Sequence, residues 1–193
     1  MDLLFATTNP GKIQSMRREL EPYGVNVVQA PIELPEPRSD DVETIATHKV
    51  IYAYERLGKP VVALDAGFYI DSLNGFPRAF VNFALQTIGL EGILRLVEGK
   101  DRRCEFSHCI AYHDGTKTYT FTDHVPGQMA AEPRGTLHEK HWSELALVFI
   151  PDGLDKTLAE MPPEDYARWH KDMSRDDTAT KQFARWYLRT SPR

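Results

Sequence analysis

The sequence predicts an α/β fold: a mixed β-sheet flanked by helices, with a hairpin-containing lobe around residues 70–130 set into it. Three observations carry this reading. Short apolar runs alternate with helical patterns at both ends of the chain, as strands joined through crossover helices do. The middle instead carries Asp114-Gly115 between two alternating segments, the signal of a β-hairpin. No internal repeat, low-complexity tract or long linker divides the 193 residues, so the expectation is one domain over 1–193 with a lobe.

In chain order, Leu3-Leu4-Phe5-Ala6 is a continuous apolar run, the mark of a strand covered on both faces. Thr-Thr-Asn-Pro-Gly breaks it. Lys12 then opens a helix in which Ile13, Met16 and Leu20 share a face. A second strand is expected at 25–28, and Pro31, Pro35 and Pro37 forbid a helix in the loop that follows. Asp40 or Asp41 caps a helix over 42–57, which Gly58 ends. A third strand, 60–64, hands over to an acidic loop at Asp65-Ala66-Gly67. Residues 73–77 form a turn cluster, 78–85 fit no single pattern, and 89–97 read as a short amphipathic helix. Strands follow at 104–113, at 117–121, in a stretch ending near Met129, and at 145–150. Pro162-Pro163-Glu164 starts a helix, and a last one over 177–188 turns Phe183, Trp186 and Tyr187 inward.

Composition narrows the function. Lys and Arg number 23 against 28 Asp and Glu, a net charge of −5, which argues against broad binding to nucleic acid and makes any anion site a local one. Cys104 and Cys109 lack a metal-ligand pattern and read as two reduced thiols on one strand, which points to the cytoplasm. No apolar run reaches the ~20 residues that span a bilayer, and the N-terminal residues lack a signal-peptide layout, so no membrane partner is expected.

Two features have chemical promise. Residues 7–12 join a strand to a helix N-terminus, where backbone N–H groups and the helix dipole suit an anion such as phosphate; Lys12 adds a charge, and Thr7, Thr8 and Asn9 add short polar side chains. Glu36 and Asp65 are the acidic counterpart. If the strands before Lys12 and Asp65 are parallel neighbours, both residues fall at carboxyl ends, where α/β sheets bind ligands. Carboxylates beside a phosphate cradle are what a Mg²⁺–nucleotide site requires. Taken singly, each feature also fits a plainer role: the loop an ordinary β-to-α turn, Asp65 a turn former, Glu36 a surface charge.

The ordered set is more specific. Thr7-Thr8-Asn9-Pro10-Gly11-Lys12, Leu34-Pro35-Glu36, Lys49, Asp65-Ala66-Gly67 and Leu73-Asn74-Gly75-Phe76-Pro77 resemble the inosine/xanthosine triphosphate pyrophosphatase (Ham1-like) family. Pro133-Arg134-Gly135, residues 149–153 and residues 156–161 extend the similarity. The resemblance implies an elongated mixed sheet with two lobes and a central cleft, a fold shared with Maf-type pyrophosphatases. It also implies Mg²⁺-dependent hydrolysis of non-standard purine nucleoside triphosphates to the monophosphate and pyrophosphate, and a homodimer. Thr7, Thr8, Asn9, Pro10, Gly11 and Lys12 would bind the triphosphate and Lys49 a phosphate. Glu36 and Asp65 would ligate Mg²⁺, Asp65 would also be the general base, and the backbone of Ala66 would lie against the substrate.

Three departures bear on specificity. Leu64 stands where the family usually has an acidic residue. The family's Phe-Gly-Trp/Tyr-Asp-Pro is replaced by residues 136–145, in which Trp142 is the candidate for base stacking and Glu144 for accepting base N–H groups. The family's Ser-His-Arg is absent, and Lys171 and Arg175, beside His170 and Ser174, are its nearest substitutes. Replaced hydrogen-bond donors alter substrate choice more than hydrolytic chemistry. Two alternatives follow: a nucleotide sensor with reduced hydrolysis, and a pyrophosphatase for another nucleotide class.

Overall fold

A computed structural model describes residues 2–139, 141, 143–172 and 178–190, with residues 171 and 172 by their backbone alone. The elements run β1 (Asp2–Ala6), α1 (Pro10–Leu20), β2 (Asn26–Ala30), α2 (Val42–Leu57), β3 (Val61–Ile70), β4 (Pro77–Arg78), α3 (Val81–Thr87), α4 (Gly89–Leu96), β5 (Arg103–His113), β6 (Thr118–Met129), β7 (Phe149–Pro151), α5 (Pro163–Asp172) and α6 (Ala179–Thr190). Single 3₁₀ turns lie at Glu21–Tyr23, Asp71–Leu73, Glu144–Leu147 and Leu158–Glu160. The strands form one mixed sheet in the order β2-β1-β3-β5-β6-β7, with β4 paired to β3. β1 is parallel to both β2 and β3, whereas β3–β4 and β6–β7 are antiparallel.

The chain divides into two compact units. The first comprises Met1–Ala66, His108–Asp123 and Asp176–Arg193. Its strands β1 and β3 carry apolar runs, in which Leu3, Phe5, Val61, Val62 and Ala63 are buried, as are Ile13, Met16 and Leu20 of α1 and Val50 and Ala53 of α2. Phe183 and Tyr187 of α6 are buried against Tyr112, with ring centroids 5.8 and 5.5 Å away, and Trp186 meets the same ring at 5.6 Å, so the expected inward face of the last helix is present. The hairpin is present too. Asp114 Oδ1 accepts the N–H groups of Thr116 and Lys117 at 2.8 Å each, closing the turn between β5 and β6.

The second unit comprises Gly67–Ser107 and His124–Arg175. Its core gathers Phe68, Ile70, Ile93, Cys104, Leu145, Phe149 and Tyr166, with Phe106 and Trp169 packed against it. Cys104 and Cys109 are both buried and unbridged, and burial pushes both thiols above the ordinary range.

Four local expectations are corrected. The strand expected to stop at residue 64 runs on to Ile70, so Asp65 sits inside β3 and not in a loop. Residues 117–129, read as two strands, form the single strand β6 from Thr118. The apolar run 145–150 is a 3₁₀ turn followed by three-residue β7, since a short apolar run does not by itself distinguish strand from helix. The unassigned stretch 78–85 is divided between β4 and α3.

Candidate active site

Every predicted phosphate- or cation-binding residue lies in the first unit. β1 and β3 are in register at Leu4 with Val61 and Phe5 with Val62, so β1 ends about level with the stretch of β3 that leads into Leu64 and Asp65. β2, parallel to β1, delivers the proline-rich loop with Glu36 beside them.

The residue 7–12 loop is built by local hydrogen bonds. The Thr7 N–H donates to Ala30 O at 3.1 Å, and Thr7 Oγ1 accepts the Asn9 N–H at 3.1 Å. Asn9 then caps α1: its backbone is extended (φ −81°, ψ 116°) and its side chain accepts the Lys12 N–H at 3.1 Å. Pro10, at the first helical position, has no N–H to satisfy and a φ already suited to the helix. Gly11, second in the helix, has an N–H with no acceptor within the helix. Thr7 is buried while Thr8, Asn9 and Pro10 face solvent. The helix therefore begins at Pro10, two residues earlier than expected, and its positive end coincides with the exposed part of the loop.

Lys12 and Lys49 bring the basic and acidic features together. Lys12 Nζ donates to the carbonyl of Leu64 at 3.2 Å, so the residue that departs from the family pattern contributes through its backbone. Nothing in the sequence pattern marks that contact. Lys49 lies on the buried face of α2, whose start is fixed by Asp41 Oδ2 accepting the Thr44 N–H at 2.8 Å. Its ammonium donates to Asp65 Oδ1 at 2.6 Å and to Glu36 Oε1 at 2.7 Å. Lys49 and Asp65 are buried, whereas Glu36 reaches in from an exposed loop.

Opposed forces set these charges. Burial pushes the Asp65 carboxyl above the usual aspartate range, against the pull of Lys12 and Lys49. Burial also pulls the Lys49 ammonium down, but Asp65 and Glu36 outweigh it and hold the group above its ordinary value. Lys12 is lowered, chiefly by burial and then by the like charge of Lys49, with Asp65 and Glu36 opposing.

Ala66 follows Asp65 in β3 and is half-buried. Trp142 and Arg175 lie outside the described residues, and Lys171 is described only as backbone in α5. Glu144 begins a 3₁₀ turn capped by Ser143. The motifs at 133–135 and 156–161 lock onto each other within the second unit. Thr157 Oγ1 donates to Arg134 O at 3.1 Å, the Thr136 N–H donates to Ala159 O at 2.9 Å, and Thr157 and Glu160 form a reciprocal capping box.

The donor set fits magnesium. Among the described residues no group of three or more His, Cys, Asp or Glu is arranged to hold a metal, as a cage made wholly of protein would need. Glu36 and Asp65 instead share one cation, the Lys49 ammonium, and Mg²⁺ characteristically takes one or two carboxylates and completes its shell with water and substrate phosphates.

A parallel α/β core with a helix N-terminus, two lysines and two carboxylates gathered beside it has the groups that receive a phosphorylated ligand with its cation. The Ham1 family model matches residues 3–186, and the chain belongs to that family. The dITP/XTP pyrophosphatase of Methanopyrus kandleri is 38% identical over 189 residues, covering 97% of this chain and 96% of its own. The enzyme of the same name from Thermococcus kodakarensis is 37% identical over 187 residues, covering 96% and 97%. The solved Ham1 protein of Staphylococcus aureus shares the fold, with a TM-score of 0.79 at 22% identity over 99% of this chain and 100% of that one.

Proposed function

We propose that this protein is a nucleoside triphosphate pyrophosphatase that acts on non-standard purine nucleotides such as dITP and XTP, releasing the monophosphate and pyrophosphate. Full-length relatives of that name support the substrate class. The observation that carries the chemistry is the convergence of Lys12, Lys49, Glu36 and Asp65 on one point beside the N-terminus of α1. Residues 1–193 act together as one catalytic domain in this reading.

The triphosphate lies against the N-terminus of α1, where Gly11 N–H and the exposed side chains of Thr8 and Asn9 meet its oxygens and Lys12 offsets its charge. Glu36 and Asp65 would hold Mg²⁺, which supplies Lewis-acid polarisation of the phosphoryl group. Asp65, its pKa raised by burial, takes a proton from the attacking water as the water oxygen bonds the α-phosphorus. The bond from the α-phosphorus to the bridging oxygen breaks, and pyrophosphate leaves with its charge offset by the lysines. Base choice falls to residues outside this set, with Trp142, Lys171 and Arg175 as candidates. Exposed Phe80, Phe83 and Ile88 offer an apolar surface for a homodimer, and a Phe83→Glu variant that sediments as a monomer would support that role. No helix among the described residues is long and apolar enough to cross a membrane.

Pyrophosphate release from a panel of triphosphates with Mg²⁺ tests the reading. Release from dITP and XTP well above that from dATP and dGTP is expected.

A further inference from the structure

Lys49 holds the position that a divalent cation needs. Its ammonium is 2.7 Å from Glu36 Oε1 and 2.6 Å from Asp65 Oδ1, one oxygen of each carboxylate that would hold the metal. The ammonium occupies one oxygen of each carboxylate and carries the same sign of charge as a metal ion, so the two compete for the pair. Lys12, by contrast, is recorded on a backbone carbonyl, that of Leu64, at 3.2 Å.

We infer that Lys49 is a built-in counter-cation that keeps the carboxylate pair closed to metal until nucleotide phosphates draw its ammonium away. The inference rests on the metal site proposed above. If metal entered without nucleotide, Lys49 would lose both acceptors while its side chain stays buried, and a buried ammonium without an anion is strongly disfavoured. Phosphate oxygens supply replacement acceptors, so metal and triphosphate bind with positive coupling, and the coupling is reciprocal. Lys49 is in this account a positioning residue as well as a phosphate contact: it makes the protein take up metal with its substrate and hold little metal alone.

Titration with Mn²⁺ in the absence of nucleotide, followed by electron paramagnetic resonance of the free ion, tests this on wild type, Lys49→Met, Lys49→Gln, Lys12→Met and Asp65→Asn. Each variant is first checked for a wild-type circular dichroism spectrum, and the glutamine variant keeps a hydrogen-bond donor between the carboxylates should methionine disrupt folding. Because the metal-competent conformation is a minor one in the wild type, removing the ammonium is expected to tighten Mn²⁺ binding about tenfold or more. The gain should vanish in Lys49→Met/Asp65→Asn, and Lys12→Met, which removes an equal charge without opening the pair, should gain much less.

Lys49 variants that bind Mn²⁺ no more tightly than wild type would overturn the inference, as would an equal gain in Lys12→Met. If that happens while pyrophosphate is still released with Mg²⁺ and lost in Asp65→Asn, the counter-cation role alone fails. If Asp65→Asn also binds Mn²⁺ and turns over like wild type, the metal site itself is refuted.

Discussion

Asp65 stands buried inside a strand, and the neighbouring helices bring two lysines towards it. Lys49 from α2 bonds it directly, and Lys12 from α1 sits on the carbonyl of the preceding residue. The sequence made these residues legible as a set, since their types and order carry the family resemblance, but not their pairing, which depends on β1 and β3 lying side by side in register. Asp65→Asn removes the proposed base and one metal ligand while keeping shape. Its kcat should fall by at least ~10²-fold, and its melting temperature should fall as well because the buried Lys49 loses an anion; steady-state kinetics well below the melt, beside a thermal melt, checks both. At another residue, His141 is stacked on His138 at 3.7 Å, with Tyr166 edge-on at 5.0 Å, and its Nδ1 accepts the His138 N–H. Burial and the neighbouring imidazole push it down to about 4 from an ordinary 6.5. The unfolded chain therefore takes up this proton first as the pH falls, and His141 costs stability progressively between pH 6.5 and about 4. Melting temperature over that range should fall more steeply for wild type than for His141→Phe.

At the scale of elements, the sequence was read well where period and caps agree. α2 begins after Asp41 and ends at Gly58, which adopts the left-handed φ of 62°, as the capping pattern predicts. Asp41→Ala should lower stability by ~1 kcal/mol, measurable by urea unfolding, because the Thr44 N–H loses its acceptor. The reading failed where tertiary contacts override local preference. Asp-Ala-Gly looks like a strand end, since Asp and Gly are poor strand formers, yet β3 continues through it because its neighbours pair with its backbone and its helices neutralise its charge. The segment 133–135 shows how a motif can be structural. Gly135 has a φ of +87°, and a Cβ there would stand 2.2 Å from the backbone of Ala159. Gly135→Ala should therefore cost at least ~2 kcal/mol, combining backbone strain with a clash. Gly153→Ala, at φ +83° with nothing within 4 Å, should cost only the strain, and the difference in melting temperature between the two variants measures the clash.

At the scale of the molecule, a parallel core gathers two lysines and two carboxylates at one place on a chain whose net charge is −5. A small polyanion would be met there by local groups and not by the field of the whole chain. The fold was legible because it depends on alternating apolar runs, which are local in sequence. Base recognition was less legible, because residues 136–145 and 170–175 depart from the family pattern. The central claim is the chemistry at Asp65, and pyrophosphate release with Mg²⁺ from dITP, XTP and the standard deoxynucleotides tests it most directly. The account predicts release from dITP and XTP that disappears in Asp65→Asn. No release from any triphosphate by the folded wild-type protein, or undiminished release by the variant, would contradict it.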